Sequence, residues 1–375
     1  MAFGKNTRRI LVLVALVAAT LIPSGLYLST QVGEAPRAES AQTLLAMISN
    51  CIPANVLPGR ASGSQVDCAR QVVLRYAEDS TAAEINQALD APYREVPGFA
   101  NVCHDITHEV GKMLARRDGL DYAATVAEIS SVNCVTGMMH GYLEVVATKG
   151  VDSETVSTVI KACGALATMR EKSGCADGVG HMLWIMRGDF GVAAQQCTEF
   201  ESAWLNMQCS YGVIMLAALV PPNAPAGTRS PIAPETMVSV CAKWPVSGDI
   251  GQYGCGQGVG FILSNAARPT YLAMQDAGRA LGDGSVEAIA VEDIFTQSVG
   301  LCINLASISA RIGCLSDTVR NTITSHEVSF GVFDDFCQFF PAAYAIACPD
   351  KEESASPWVL YDHNAHGQVA ALLNP

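Results

Sequence analysis

The sequence contains few charged residues, and the charge it has is mostly acidic. Only 16% of its 375 residues are charged, against about a quarter in an average soluble protein. Half are hydrophobic, which is enough for a large buried core. The 36 Asp and Glu outnumber the 23 Lys and Arg. Because a nucleic-acid partner requires a basic surface, this balance argues against DNA or RNA binding.

Several familiar motifs are also missing. There is no Cys-x-x-Cys pair, which excludes zinc ribbons, thioredoxin-type redox pairs and c-type haem attachment. The chain has no nucleophile elbow, no Walker loop and no dinucleotide-binding glycine loop in a strand context. Runs of alternating β-branched residues, which would indicate strands, are missing as well. The sequence therefore predicts an all-α protein.

The N-terminus has the features of a targeting segment. Lys5, Arg8 and Arg9 precede an uncharged, mostly apolar run over Ile10–Leu28, and about 20 such residues suffice to span a bilayer. The same run also fits the apolar region of a cleavable signal peptide. We therefore expect residues 1–29 to be a signal anchor or a signal peptide. The body of the chain would then be membrane-anchored on the extracytoplasmic side, or secreted.

The 14 cysteines fit an oxidising compartment, where an even number can pair fully. Five of the seven pairs formed by neighbours along the chain are 11 to 14 residues apart. This recurring spacing makes sequential pairing the natural choice, and each such loop would stabilise the fold by about 3 kcal/mol. The predicted bonds are Cys51–Cys68, Cys103–Cys134, Cys163–Cys175, Cys197–Cys209, Cys241–Cys255, Cys302–Cys314 and Cys337–Cys348.

Three helices are predicted ahead of the histidine-containing part of the chain. The first two cover residues 41–52 and 64–77, and the Cys51–Cys68 bond would join them. A third follows Ser80, which we expect to be its N-cap, with Glu84 placed for the capping box that stabilises helix N-termini.

Disulfide-bridged helical hairpins are the predicted building unit. A helix ends in a cysteine, a loop follows, and a second cysteine opens the next helix, as in residues 153–163 and 175–186. Equivalent cysteines recur every 34 to 59 residues, which is typical of stacked repeats. We predict a linker over 30–41, a disulfide-rich helical-repeat domain over 42–350 and a C-terminal tail over 351–375. The hairpins would stack as an α-solenoid or an α/α-toroid.

The hairpin pattern resembles a known family. An Ala-Cys pair, a short loop and Cys-x-x-Gly open a second helix, and Gly188, Asp189 and Ala193 form G-D-x-x-x-A before the next cysteine. Over about residues 134–350 this resembles the disulfide-bridged Sel1-like α/α repeats of secreted bacterial proteins. The resemblance implies an α-solenoid scaffold, a secreted setting and contacts with a peptide or cell-envelope partner. It implies no catalytic residues.

Four of the seven histidines lie in three segments that each begin with a cysteine. His140 and His181 follow their cysteines by six residues, and His108 follows its cysteine by five. Equivalent positions of stacked hairpins line a common surface. The imidazoles of successive segments are therefore predicted to converge.

Two carboxylates share helix faces with these histidines, because four residues make about one helical turn. Glu144 follows His140 by four residues, and Asp177 precedes His181 by four. Imidazole and carboxylate ligands suit zinc, iron or copper, and their chemistry does not choose among these metals. The predicted metal site consists of His104, His108, His140, His181, Glu144 and Asp177.

Other interpretations remain open for the residues around this site. Met138, Met139 and Met182 would favour copper as thioether ligands, or they could fill the core. The glycines near the histidines are interpreted as positions where helices cross closely. In later segments Met215 and Phe261 take the place of histidine, so the site should be local.

The sequence therefore leaves two classes of function open. One is an extracytoplasmic metal-binding protein, acting as a metal-dependent hydrolase or oxidoreductase or as a metal carrier. The other is a non-catalytic repeat scaffold that binds a peptide or cell-envelope partner.

Overall fold

The computed structural model describes residues 38–56, 61–100, 102–117, 122–129, 133–219, 234–244, 250–264 and 300–326. Every regular element within these ranges is a helix, as the sequence predicted. The predicted signal segment, residues 1–29, and the tail, residues 351–375, lie outside the described residues. Among the helices that the structure describes, none has the length and apolar character needed to cross a bilayer.

The described residues contain the following α-helices. In order they are α1 (Ala38–Cys51), α2 (Gly63–Glu78), α3 (Ala82–Glu95), α4 (Pro97–Ala100), α5 (Cys103–Arg117), α6 (Tyr122–Ile129), α7 (Gly137–Thr148), α8 (Ser153–Ala165), α9 (Met169–Arg187), α10 (Phe190–Cys197), α11 (Ala203–Leu219), α12 (Pro234–Ala242) and α13 (Ile308–His326). A 3-10 turn, Asn133–Thr136, leads into α7, and residues 250–264 and 300–302 are also helical. Helix α1 begins within the predicted linker over 30–41.

Capping boxes begin α2, α3 and α9. Ser62, Thr81 and Thr168 each accept a hydrogen bond from a backbone N–H in the first turn, and a Gln or Glu side chain accepts one in return. The prediction of Ser80 as the cap of α3 was wrong, because the spacing to Glu84 counts from Thr81. The Ser80 hydroxyl instead donates to a carbonyl in the last turn of α2.

Six disulfide bonds join the described helices, and all six match the predicted sequential pairing. Five of them connect a position near the end of one helix with a position inside the next helical segment. The predicted Cys337–Cys348 bond lies outside the described residues. Multiple disulfides indicate an extracytoplasmic or secreted protein. The stacking of the pairs as a solenoid or toroid stays a prediction.

The helices around the histidines pack with their backbones in contact. Helix α5 lies against α7, α7 against α9, and α9 against α11. A Cβ at Gly141 would overlap the carbonyl oxygen of His108 on α5, and one at Gly111 would overlap the α7 backbone. Gly180 and Gly212 have the same role between α9 and α11. These glycines are close-packing positions, and Gly111 and Gly141 allow the two histidine-bearing helices α5 and α7 to approach closely.

Candidate metal centre

Three histidines from three neighbouring helices converge in the interior. His108 lies on α5, His140 on α7 and His181 on α9. One ring nitrogen of each lies within 4.8 Å of the others, and within the described part of the chain this is the one group of potential metal ligands. His140 and His181 are buried, while the His108 side chain is 17% exposed. Catalytic zinc sites use sets of three imidazoles, so this group could hold a metal ion.

Two carboxylates contact this group from either side of His181. Glu144 Oε1 lies 3.1 Å from His108 Nε2 and 3.4 Å from His181 Nδ1. Asp177 Oδ2 lies 3.2 Å from His140 Nε2, and Asp177 Oδ1 lies 4.0 Å from His181 Nε2. Each ring nitrogen of His181 therefore faces a carboxylate oxygen.

The electrostatics of the cluster favour ionised carboxylates beside a neutral His181. Burial raises the pKa of Glu144, but hydrogen bonds and charge from His108 and His181 outweigh it and bring the pKa far below its ordinary value. Burial also raises the pKa of Asp177, and charge from His140 and His181 reverses this to give a lowered pKa. For His181, burial lowers the pKa, which leaves its imidazole neutral near pH 7. Anionic oxygens next to a neutral imidazole are suited to binding a cation.

Three buried polar atoms of the cluster have no hydrogen-bond partner. They are His140 Nδ1, His181 Nε2 and Asp177 Oδ1. Leaving a buried donor or acceptor unpaired costs roughly 1–3 kcal/mol, and native structures keep few such atoms. A bound cation would satisfy a free imidazole nitrogen, so these atoms are a second indication of a ligand.

His104 lies beside the three-histidine group and is not a member of it. Its ring centroid is 5.2 Å from that of His140 and 6.0 Å from that of His108. The structure therefore divides the six predicted site residues into three parts. The imidazoles of His108, His140 and His181 form the group, Glu144 and Asp177 contact it, and His104 is its neighbour.

Two residues that contact the cluster were not predicted. Lys112 Nζ lies 3.3 Å from Glu144 Oε2. The Thr136 hydroxyl lies 3.1 Å from His140 Nε2, and the Thr136 backbone has a φ of 61°, which is rare for a β-branched residue. Helical spacing could have indicated Lys112, because it follows His108 by one turn of α5. No sequence pattern marks Thr136.

The methionines near the site belong to the hydrophobic core. Met138, Met139 and Met182 are at most 2% exposed and are part of the main cluster of apolar side chains. In later segments the histidine position is apolar, with a buried Met215 on α11 and Phe261 in the helix over 250–264. Among the described residues, the histidine group therefore lies on α5, α7 and α9.

No family model, curated protein or solved structure matches this chain. The likeness to Sel1-like repeats is therefore one of sequence pattern. The chemistry of the site rests on the geometry of its own residues.

Proposed function

We propose that this chain is an extracytoplasmic metal-binding protein that holds one divalent transition-metal ion with His108, His140 and His181. The observation that carries this proposal is the convergence of three imidazole nitrogens within 4.8 Å of one another. Bonds of 2.0–2.1 Å to a tetrahedral ion require nitrogens roughly 3.3 Å apart. Side-chain rotations would have to close that difference on metal binding. Zinc, iron and copper all suit this ligand set.

Glu144 is the proposed fourth ligand. Its Oε1 atom already lies near His108 Nε2 and His181 Nδ1, so an ion bound by these two nitrogens has the carboxylate within reach. The carboxylate is anionic because its pKa is held low. It therefore offsets part of the charge of a divalent ion inside the protein.

Asp177 is proposed to orient two of the ligands. Its carboxylate faces the Nε2 atoms of His140 and His181 at 3.2 and 4.0 Å. If both Nε2–H groups donate to Asp177, both Nδ1 atoms keep a lone pair for the ion. His140 Nδ1 is one of two buried imidazole nitrogens without a hydrogen-bond partner, and the other, His181 Nε2, would gain Asp177 as its acceptor in this arrangement. Metal-ligating histidines commonly have such a carboxylate at the other ring nitrogen, which fixes the tautomer and the ring orientation.

A metal-dependent enzyme is the second candidate, and one-sided solvent access favours it. The side chains of His140 and His181 are 2% and 5% exposed, while those of His108 and Lys112 are 17% and 26% exposed. Solvent therefore reaches the cluster from the α5 side. An ion held by the three imidazoles and Glu144 would take up water as a fifth ligand on its solvent side. A metal ion can lower the pKa of bound water to about 7, which suits hydrolysis. A redox-active ion at the same position would suit an oxidoreductase.

The test is elemental analysis of the protein isolated from an oxidising compartment. We expect one equivalent of metal in the wild type and none in the His140→Ala, His181→Ala double variant. The matched control is His363→Ala, His366→Ala, which removes two histidines far from the cluster in sequence and should retain the metal. Circular dichroism and thermal unfolding report whether each variant is folded. A wild-type protein without stoichiometric metal, or a folded double variant that keeps it, would show the proposal to be wrong.

A further inference from the structure

We infer that the metal-loaded centre takes a small monovalent anion as its external ligand, bound at the ion's open side next to Lys112. This inference rests on the proposed function, and it names the chemical class of molecule that the site accepts.

The position of Lys112 is the first observation. The carboxylate of Glu144 points one oxygen, Oε1, at the imidazoles and the other, Oε2, at Lys112 Nζ. The ammonium group therefore lies on the far side of the proposed ligand carboxylate. The Lys112 side chain is 26% exposed and that of Glu144 is 13% exposed, so this is the side from which solvent enters. A molecule that approaches the ion from solvent passes the ammonium group.

The charge of the cluster is the second observation. Glu144 and Asp177 each carry one negative charge, and Lys112 carries one positive charge. A divalent ion adds two positive charges to this set of two carboxylates and one ammonium group. Glu109 lies 3.6 Å from Lys112, but its side chain is 50% exposed and its charge is screened by solvent. The formal charge of these three side chains and the divalent ion is therefore plus one, and one bound monovalent anion would neutralise it.

The rest of the molecule limits the size of that anion. His140 and His181 are buried, while the side chains of His108 and Lys112 on α5 are 17% and 26% exposed, so an incoming ligand approaches from the α5 side. The whole chain has a formal net charge of -13, which repels polyanions and long anionic chains. Hydroxide, bicarbonate and short carboxylates combine small size with a single charge. They would displace water at the ion without changing its oxidation state.

The experiment uses cobalt as a spectroscopic substitute for the native ion. The full chain is loaded with Co²⁺, and its visible absorption is followed while sodium azide replaces sodium perchlorate at constant ionic strength. We expect a saturable spectral change. Lys112→Gln should weaken azide binding by about tenfold or more, because it removes a unit charge close to the bound anion. Lys112→Arg should retain most of the affinity. Lys149→Gln is the control, since its ammonium group donates to the Ala115 carbonyl at 3.3 Å and not to a residue of the cluster.

The outcomes separate the two proposals. If the wild type takes up no cobalt, the proposed function fails. If cobalt binds but azide gives no saturable change, or if Lys112→Gln binds azide as tightly as Lys149→Gln does, the inference about the anion is wrong and the metal site stands. Lys112→Met gives the same comparison if the glutamine variant does not fold.

Discussion

Substituting Gly141 by alanine should disrupt the metal centre without touching any proposed ligand. Gly141 lies on α7 directly after His140, and its Cα faces the backbone of α5. An added Cβ would overlap the carbonyl oxygen of His108. Because this neighbour is backbone, no side-chain rotation can relieve the overlap, and α5 and α7 must move apart.

The size of the effect follows from two opposing terms. Alanine is favoured over glycine in a helix by up to about 1 kcal/mol. At Gly164 on α8, no atom lies within 4 Å of the position that a Cβ would occupy, so Gly164→Ala shows this gain alone. At Gly141, overpacking costs about 1–3 kcal/mol. We therefore expect Gly141→Ala to be less stable than Gly164→Ala by roughly this cost. A helix separation of roughly 1 Å exceeds the tolerance of about 0.2 Å for metal–ligand distances, so metal affinity should fall by roughly 10- to 100-fold.

Denaturant unfolding of the metal-free proteins and calorimetric titration with Zn²⁺ measure the two effects separately. The comparison of the two alanine variants cancels the intrinsic helix preference. The reasoning would be refuted by a Gly141→Ala protein that is as stable as Gly164→Ala and binds zinc as tightly as the wild type. That result would mean that contact between the α5 and α7 backbones does not set the position of His108.

Three further outcomes are expected. Replacing Cys163 and Cys175 by alanine should lower the free energy of unfolding by about 3 kcal/mol, measured by denaturant titration; an unchanged value would indicate that this bond does not constrain the unfolded chain. Asp177→Asn should weaken metal binding by roughly 10- to 100-fold and should alter the imidazole ¹⁵N shifts of His140; a normal affinity with unchanged shifts would remove the proposed orienting role. The metal-free protein should lose stability as the pH falls, because the lowered pKa values of Glu144, Asp177 and His181 mean that the unfolded chain binds protons first. The loss should begin near the unfolded His pKa of 6.5 and should steepen below the unfolded Glu and Asp pKa values of 4.5 and 3.8. A stability that rises on acidification would contradict the assigned pKa shifts.

Much of the described fold was predictable because its signals are local. Three of the six described disulfide bonds close the same separation of 12 residues, which made sequential pairing recognisable, and helices are indicated by caps and spacing. The wrong assignment of Ser80 shows the limit of such local signals, because Ser80 and Thr81 are adjacent and both residue types commonly cap helices. Only the count of residues to Glu84 identifies Thr81 as the cap.

The ligand group was predictable only in part, because the choice among histidines depends on helix packing. His104 and His108 occupy the same face of α5, and periodicity does not distinguish them. Which one reaches the centre depends on where α7 crosses α5, and Gly111 and Gly141 determine that crossing. Lys112 lies on the same face, but its contact with Glu144 depends on the same tertiary arrangement.

The Cys103–Cys134 bond has a consequence for the order in which the protein matures. Cys103 is the first residue of α5 and Cys134 lies in the turn that leads into α7, so the bond joins the N-terminal ends of two helices that supply histidines. A chain with reduced thiols lacks this tether, and its free thiolates compete with imidazoles for soft metal ions. If the chain binds metal as proposed, oxidation would therefore have to come before correct metal loading. The chain would acquire its ion after export, from the metals available in the oxidising compartment and not from those of the cytosol.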